Sequence, residues 1–337
     1  MLRAALITPL SGPLAVFGVP GSIALGLWAE WHLQHIGDEV ALSVFDANPD
    51  PIDAVRRAEA MKPDLVFGPY GSSVARAVLA ATSRTIFNHG GAAVEAPNQV
   101  PILSPSSTYF HGALDALAAA KVPKVKVSVL AAASGFAESV GSGAAAHADA
   151  LGYEVERGSI TSVPEHGGVV LAVGSFADEV ALAQPLLAQP WTLVGMVSAG
   201  VHEILTELGP QRRGLVGPAQ WVPRVRLPVD LGPEISEFVT RYRDRTGEVP
   251  PYPAAQAFAA GLVAGRCVEV AGSTDDGALL AAADQLDCVT LFGRFQLDRG
   301  RQVGHEVLTV QWQGDELGVV WPPASADAEL AVGRPVG

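Results

Sequence analysis

Positive charge is scarce in this chain. Lysine and arginine number 22 against 35 aspartates and glutamates, a formal net charge of −13. Nucleic-acid binding needs basic surface to neutralise phosphates, and adsorption to an anionic membrane needs the same, so neither partner is expected. Charged residues of either sign make up only 17%. Cysteine is nearly absent. Cys267 and Cys288 are the two present, and they fit no metal-binding spacing. No uninterrupted apolar run reaches the length of a bilayer span, so membrane insertion is not expected. The sequence holds no G-x-S-x-G elbow, phosphate-binding P-loop, G-x-G-x-x-G or H-E-x-x-H. His32 and His35 form an i,i+3 pair without further ligands nearby, the pattern of a solvated helix face. No catalytic residue, metal or cofactor is therefore expected, and the chain reads as a non-enzyme.

What the chain has is apolar material and punctuation. Of its 337 residues, 49% are hydrophobic, enough for two sizeable cores. The first stretch is the most informative. A short apolar run, Ala4 to Ile7, stops at Thr8-Pro9. A loop of small and polar residues follows, Leu10-Ser11-Gly12-Pro13, and Phe17 stands just beyond it. Pro20-Gly21 then opens an amphipathic segment from Ser22 to Ile36. This is strand, loop and helix in the first few dozen residues.

The same unit repeats. Val40 to Phe45, Leu65 to Phe67 and Thr85 to Phe87 read as strands. They end in Asp46-Ala47-Asn48-Pro49, Gly68-Pro69-Tyr70-Gly71-Ser72-Ser73 and Asn88-His89-Gly90-Gly91, and helices follow the first two. After the Pro/Ser-rich stretch 101–107 the alternation restarts. Val125 to Leu130, Val169 to Val173 and Thr192 to Val197 are expected strands, ending near Ser134-Gly135-Phe136, Gly174-Ser175-Phe176 and Ser198-Ala199-Gly200. Such βα alternation argues for parallel, doubly wound sheets. Ala254 to Ala271 reads as a long helix, and Gly314-Asp315 marks a late hairpin.

These motifs resemble the type I periplasmic-binding-protein superfamily. The nearest likeness is to solute receptors of branched-chain amino acid and amide ABC transporters. The likeness is carried by Thr8-Pro9-Leu10-Ser11-Gly12-Pro13 with Phe17-Gly18, by Pro253-Ala254-Ala255-Gln256-Ala257-Phe258, and by Thr290-Leu291-Phe292-Gly293-Arg294-Phe295. Val310-Gln311-Trp312-Gln313 and Val320-Trp321-Pro322 extend it to the C-terminal region. The resemblance implies an α/β fold of two doubly wound, Rossmann-like lobes joined by a three-crossing hinge. The matching segments place the crossings near Leu103 to Ser107, Trp221 to Arg226 and Phe292 to Asp298. Lobe I would then hold 1–104 plus 224–292, and lobe II 105–223 plus 293–337.

Loops at the carboxyl ends of parallel strands, facing helix N-termini, hold small polar ligands in α/β proteins. On the first lobe the candidates are Ser11, Phe17, Tyr70, Ser72, Asn88, His89 and Gly90. The resemblance makes Phe17 an aromatic wall, although as a staple for the first helix it would need no ligand. Ser72 or Ser73 also suits a helix N-cap. Asn88-His89 departs from the Ser-Pro of branched-chain binders, and it can donate and accept where Ser-Pro cannot. On the second lobe the candidates are Phe136, Ser175 and Ala199, with Trp221 at a crossing, where it either stacks on ligand or packs the hinge. Amino-acid receptors place an acidic residue near the loop at Ser198-Ala199-Gly200. Here the acidic residue is Glu203, one turn into the next helix, expected to face solvent. An amide, a small carboxylate or an aromatic acid gains ground over a plain α-amino acid.

The resemblance implies a receptor that closes on a small polar ligand and delivers it to an ABC-transporter permease. The alternative is a cytosolic amide or amino-acid sensor of the same fold. The first strand begins almost at Met1 with no leader pattern ahead of it. An extracytoplasmic location therefore requires a signal or lipobox removed from this chain; otherwise the location is cytoplasmic. Cys267 and Cys288 flank one helical hairpin. Either they form a disulfide, which favours export, or they are two buried thiols.

Overall fold

In the computed structural model, residues 1–165, 167–201 and 204–333 are described. The chain divides into two units, 1–105 with 221–306, and 106–220 with 307–337. It begins with β1 (Leu2–Thr8), α1 (Ala15–Ile36), β2 (Val40–Asp46), α2 (Pro51–Ala60), β3 (Leu65–Phe67), α3 (Ser72–Ala81), β4 (Ile86–Asn88) and β5 (Gln99–Pro101). These strands form a parallel sheet in the order β2-β1-β3-β4-β5.

Because β1 is central, both of its faces are buried, and its side chains alternate between two cores. Ala4 and Leu6 enter one apolar cluster, Ala5 and Ile7 the other. The short strand β3 does the same, with Leu65 and Phe67 on one side and Val66 on the other. A run of three or four apolar residues is thus a two-faced strand, which is why it lacks polar alternation.

The second unit takes α4 (His111–Ala119), β6 (Val127–Ala131), α5 (Gly135–Ala150), β7 (Val155–Ser159), β8 (Val169–Val173), α6 (Phe176–Leu187), β9 (Leu193–Met196) and β10 (Leu215–Ala219). Between β9 and β10 the chain runs through 3-10 turns, Val197–Gly200 and Ile204–Arg212. The first unit then resumes with α7 (Ile235–Thr246), α8 (Tyr252–Ala271), α9 (Asp276–Ala283), β11 (Asp287–Thr290), β12 (Gly293–Asp298) and β13 (Arg301–Gln302). Finally β14 (Leu308–Gln313) and β15 (Glu316–Trp321) complete the second sheet, in the order β15-β14-β10-β9-β8-β6-β7.

Helix α8 packs along α1 in parallel, through small residues. A methyl built on Gly261 would stand 2.2 Å from the Trp28 ring, and one on Gly265 3.2 Å from His32. Only glycine permits this approach. By length and composition α8 alone among the described helices could cross a bilayer, contrary to the reading of no spanning segment. Its apolar window is 67% buried, with Ala254 to Ala264 fully inside the first unit, so it is a core helix.

The divisions between units fall at 105/106, inside the first expected crossing, and at 220/221, at the edge of the second. The third lies at 306/307, beyond Phe292 to Asp298. Strand pairing explains the shift. β12 pairs with β11 and β13 with β12, so 293–306 stays with the first unit. Gln302 Nε2 donates to the Ile102 carbonyl at 3.1 Å, and the Ser104 hydroxyl donates to the His305 carbonyl at 2.7 Å.

The cysteines are both free thiols. Of the two readings, the disulfide is therefore the one corrected. Burial pushes both thiols up to about 12, and Cys288 adds to the rise of Cys267.

Candidate functional site

Each sheet reverses its strand order at one place. In the first unit the chain steps from β1 to β2 on one side and then to β3 on the other. In the second it steps from β6 to β7 and then to β8. The crevice outside the strand ends at such a switch is where open α/β sheets bind ligands. The flanking loops are β1–α1 and β3–α3 in the first unit, and β6–α5 and β8–α6 in the second. They carry Ser11, Phe17, Tyr70 and Ser72 on one hand, and Phe136 and Ser175 on the other.

In the first unit these loops form an aromatic wall, with Phe17 buried and Tyr70 half-buried. Phe17 stacks on Tyr70, with ring centroids 4.5 Å apart and planes at 14°. Tyr252, at the start of α8, meets both rings, and its hydroxyl is hydrogen-bonded to that of Tyr70. The wall is close to the backbone by design of two glycines. A methyl on Gly18 would stand 1.8 Å from the Pro9 carbonyl oxygen, and one on Gly90 would stand 2.6 Å from Tyr70 Cα. The Gly71 amide donates to the Gly90 carbonyl at 3.0 Å, which fixes the β4 loop to the β3 loop. Burial raises the Tyr70 phenol above its ordinary value, with the bond to Tyr252 opposing the rise.

The polar candidates of this unit divide into braces and unpaired groups. Ser11 donates to Asp46 Oδ2 at 2.7 Å and accepts from Asn48 Nδ2 at 3.0 Å. Burial would raise the Asp46 carboxyl, but bonds from Ser11 and from the Leu10 and Asn48 amides outweigh it and hold it below its usual range. Asn88 is consumed locally. Its Oδ1 accepts from the Gly90 and Gly91 amides at 3.2 and 2.9 Å, and its Nδ2 donates to Gln99 Oε1 at 2.9 Å. The structure therefore makes Asn88 a loop brace. Ser72 does not cap α3, whose N-cap is Gly71; its hydroxyl accepts from the Ala93 amide at 3.1 Å. His89 is wholly buried, and neither ring nitrogen meets a partner in another described residue. Burial lowers it to about 4.

The second unit is built otherwise. Phe136 is half-buried and meets Tyr109 edge-on, centroids 5.8 Å apart. Ser134 caps α5 by accepting from the Ala137 amide at 3.1 Å. Ser175 caps α6, accepting from the Asp178 amide at 3.2 Å and donating to Asp178 Oδ2 at 2.7 Å. Ala199 is buried, and its carbonyl accepts from Trp312 Nε1 at 3.0 Å. Trp221 settles into the core of the first unit. Its Nε1 donates to the Leu291 carbonyl at 2.9 Å and its ring meets Phe238 edge-on. Both contacts lie within that unit. Glu203 lies outside the described residues.

A carboxylate does stand near Ser198, that of Glu179 in the first turn of α6. It is fully buried. Oε1 accepts from the Gly174 amide at 3.1 Å and Oε2 from the Ser198 amide at 2.7 Å, tying the ends of β8 and β9 together. Burial pushes it up to about 7 against the pull of these bonds. Reading by sequence missed Glu179, Tyr252 and Gln256. The signals were an acid directly before the apolar run Val180-Ala181-Leu182-Ala183, and an aromatic and an amide on the first turns of a largely apolar helix. Among the described residues no cluster of three or more His, Cys, Asp or Glu could hold a metal ion.

Residues 167–316 match the model of the periplasmic binding protein family. Among solved structures, a leucine binding protein, LivK, from Thermotoga maritima aligns with a TM-score of 0.79 at 16% identity, over 95% of this chain and 97% of that one. A putative branched-chain amino acid ABC transporter protein from Silicibacter pomeroyi gives 0.80 at 14%, over 98% of each. A solute binding protein of an ABC transporter from R. palustris, in complex with benzoate, gives 0.71 at 18%, over 98% and 99%. No curated protein matches by sequence. The chain thus has the type I periplasmic-binding-protein fold.

Proposed function

We propose that the chain is the solute receptor of an ABC importer. It captures a small polar ligand with the switch-point loops of both units, and closure about the crossings accompanies capture. A ligand that contacts both units favours the closed state, because only differential binding shifts such an equilibrium. The observation that carries this reading is the pair of switch points, each flanked by an aromatic and a serine at helix N-termini. Phe17 and Tyr70 offer the apolar wall in one unit and Phe136 in the other. The Ser72 hydroxyl and the loop amides are the polar contacts. It is a binding protein and not an enzyme, in keeping with the family its sequence matches. The extracytoplasmic location usual for that family and an importer permease as partner belong to the same proposal. Nothing in the matches favours the sensor alternative.

Proteins of this fold include a leucine binding protein and a solute binding protein in complex with benzoate, so amino acids, amides and aromatic acids form the first panel. A thermal-shift screen of the whole chain tests the reading. A compound that raises the Tm, with Phe136→Ala reducing the shift, supports it. A ligand whose binding is untouched by both Phe136→Ala and Ser72→Ala overturns the site assignment.

A further inference from the structure

We infer that His89 and Gln256 are specificity-determining residues of the first unit, reading an uncharged ligand group that both donates and accepts hydrogen bonds, a primary carboxamide being the simplest. The inference rests on the receptor reading above and narrows its ligand. Both side chains are wholly buried, and none of their four polar atoms meets a partner in another described residue. Buried polar atoms without partners are costly, and native structures hold few of them. Two such side chains border one wall. A methyl on Gly21 would stand 3.4 Å from His89 Cε1, 3.6 Å from the Pro253 carbonyl oxygen and 3.6 Å from Ala257 Cβ. Gln256 lies on those same first turns of α8.

The connections close a ring. Gly90, next to His89, is bonded to the β3 loop beside Tyr70. Tyr70 is hydroxyl-bonded to Tyr252. Tyr252 stands four residues before Gln256, on the same face of the helix.

Charge then selects the partner. His89 is neutral at pH 7, since burial lowers it to about 4 and no charged side chain contributes. A neutral imidazole has one donor and one acceptor, and a glutamine amide has both. A carboxylate would leave the two acceptors unpaired and bury a charge with no counter-ion. An ammonium would leave the donors unpaired. A carboxamide satisfies both kinds at once, and sites built on hydrogen bonds reject analogues that lack them.

Calorimetry of the whole chain at pH 7 with benzamide, benzoate and isoleucine as probes tests this. Benzamide should bind at least tenfold more tightly than the other two. His89→Leu and Gln256→Leu should each weaken benzamide tenfold or more, while the Tm of the empty protein holds or rises, since each removes an unpaired buried group. Tighter benzoate or isoleucine binding, or benzamide affinity unchanged in both variants, overturns the inference. So does binding of none of the three probes. In that case the wider thermal-shift screen judges the receptor reading separately, because another solute that binds leaves the receptor standing. Should either variant fail to fold, ¹⁵N NMR of the wild-type imidazole decides. The ring nitrogens of His89 should stay neutral from pH 8 to 5 and shift on adding benzamide; titration in that range, or no shift, overturns the assignment.

Discussion

The two units place loops of similar sequence at equivalent switch points and finish them in opposite ways. In the first, Phe17, Tyr70 and Tyr252 close over each other, and the polar groups left inside, His89 and Gln256, are unpaired. In the second, Phe136 is half-buried and the serines are used up in helix caps. Of its buried polar groups, the Glu179 carboxylate is bonded to two strand-end amides, while the Ser198 hydroxyl meets no partner in another described residue. A switch point can thus be rigidified by aromatic packing with unpaired polar side chains nearby, or by a buried carboxylate that ties neighbouring loops. The first arrangement suits a wall that selects the ligand, the second a frame that holds its shape.

The sharpest test of this contrast is the pair Phe17→Ala and Phe136→Ala. Phe17 is buried in a parallel stack, and removing such a ring costs about 3–5 kcal/mol. Phe136 is partly solvated, so its loss should cost less than half of that, on the order of 1–2 kcal/mol. Denaturant unfolding of both variants measures the difference. Equal losses would mean that the two walls are built alike.

The buried titratable groups should move in opposite directions with pH. His89 has its folded value lowered from 6.5 to about 4. Its contribution to stability is present above 6.5 and is lost as the pH falls through 4. Glu179 has its folded value raised from 4.5 to about 7. Its contribution is present below 4.5 and is lost as the pH rises through 7. Each full swing corresponds to about 3 kcal/mol. The Tm difference between wild type and Glu179→Gln should therefore change between pH 4.5 and 7, and that between wild type and His89→Leu between pH 6.5 and 4. Parallel pH profiles for either variant and wild type would remove that group from the comparison.

How much of this was legible beforehand follows from how local each feature is. The strand, loop and helix units of residues 2–88 show in the sequence because β1, β3 and β4 are apolar runs ended by Pro, Gly or Asn. β7 was not legible: Val155–Ser159 is an edge strand with mostly exposed polar residues and no alternation. β5 is three residues ending in proline. The place of 293–306 depends on pairing with β11, which no local pattern encodes. At the candidate site, strand ends mark the loops, but not which side chain turns inward. Asn88 and His89 are adjacent and equally polar, yet one braces the loop and the other is left unpaired. Tyr252 and Gln256 arrive from more than 160 residues away, brought by the packing of α8 on α1.

The smallest expected effect separates the two serines. Both stand at helix N-termini, and both read as ligand contacts from sequence. The Ser175 hydroxyl gives its proton to Asp178 Oδ2 and receives the Asp178 amide, so both of its roles are spent within the cap. Ser175→Ala should lower stability by about 1 kcal/mol, the usual cost of losing such a cap, and leave ligand affinity unchanged. The Ser72 hydroxyl receives the Ala93 amide and keeps its proton to give. Ser72→Ala removes one backbone bond, worth about 1 kcal/mol, and also the donor offered to the ligand, so affinity should fall roughly tenfold. Calorimetry with a ligand found by thermal shift, beside melting curves of the empty variants, measures both quantities. If Ser175→Ala weakens binding as much as Ser72→Ala does, the capping geometry of the second unit opens when ligand arrives, and the distinction between a selecting wall and a fixed frame does not hold.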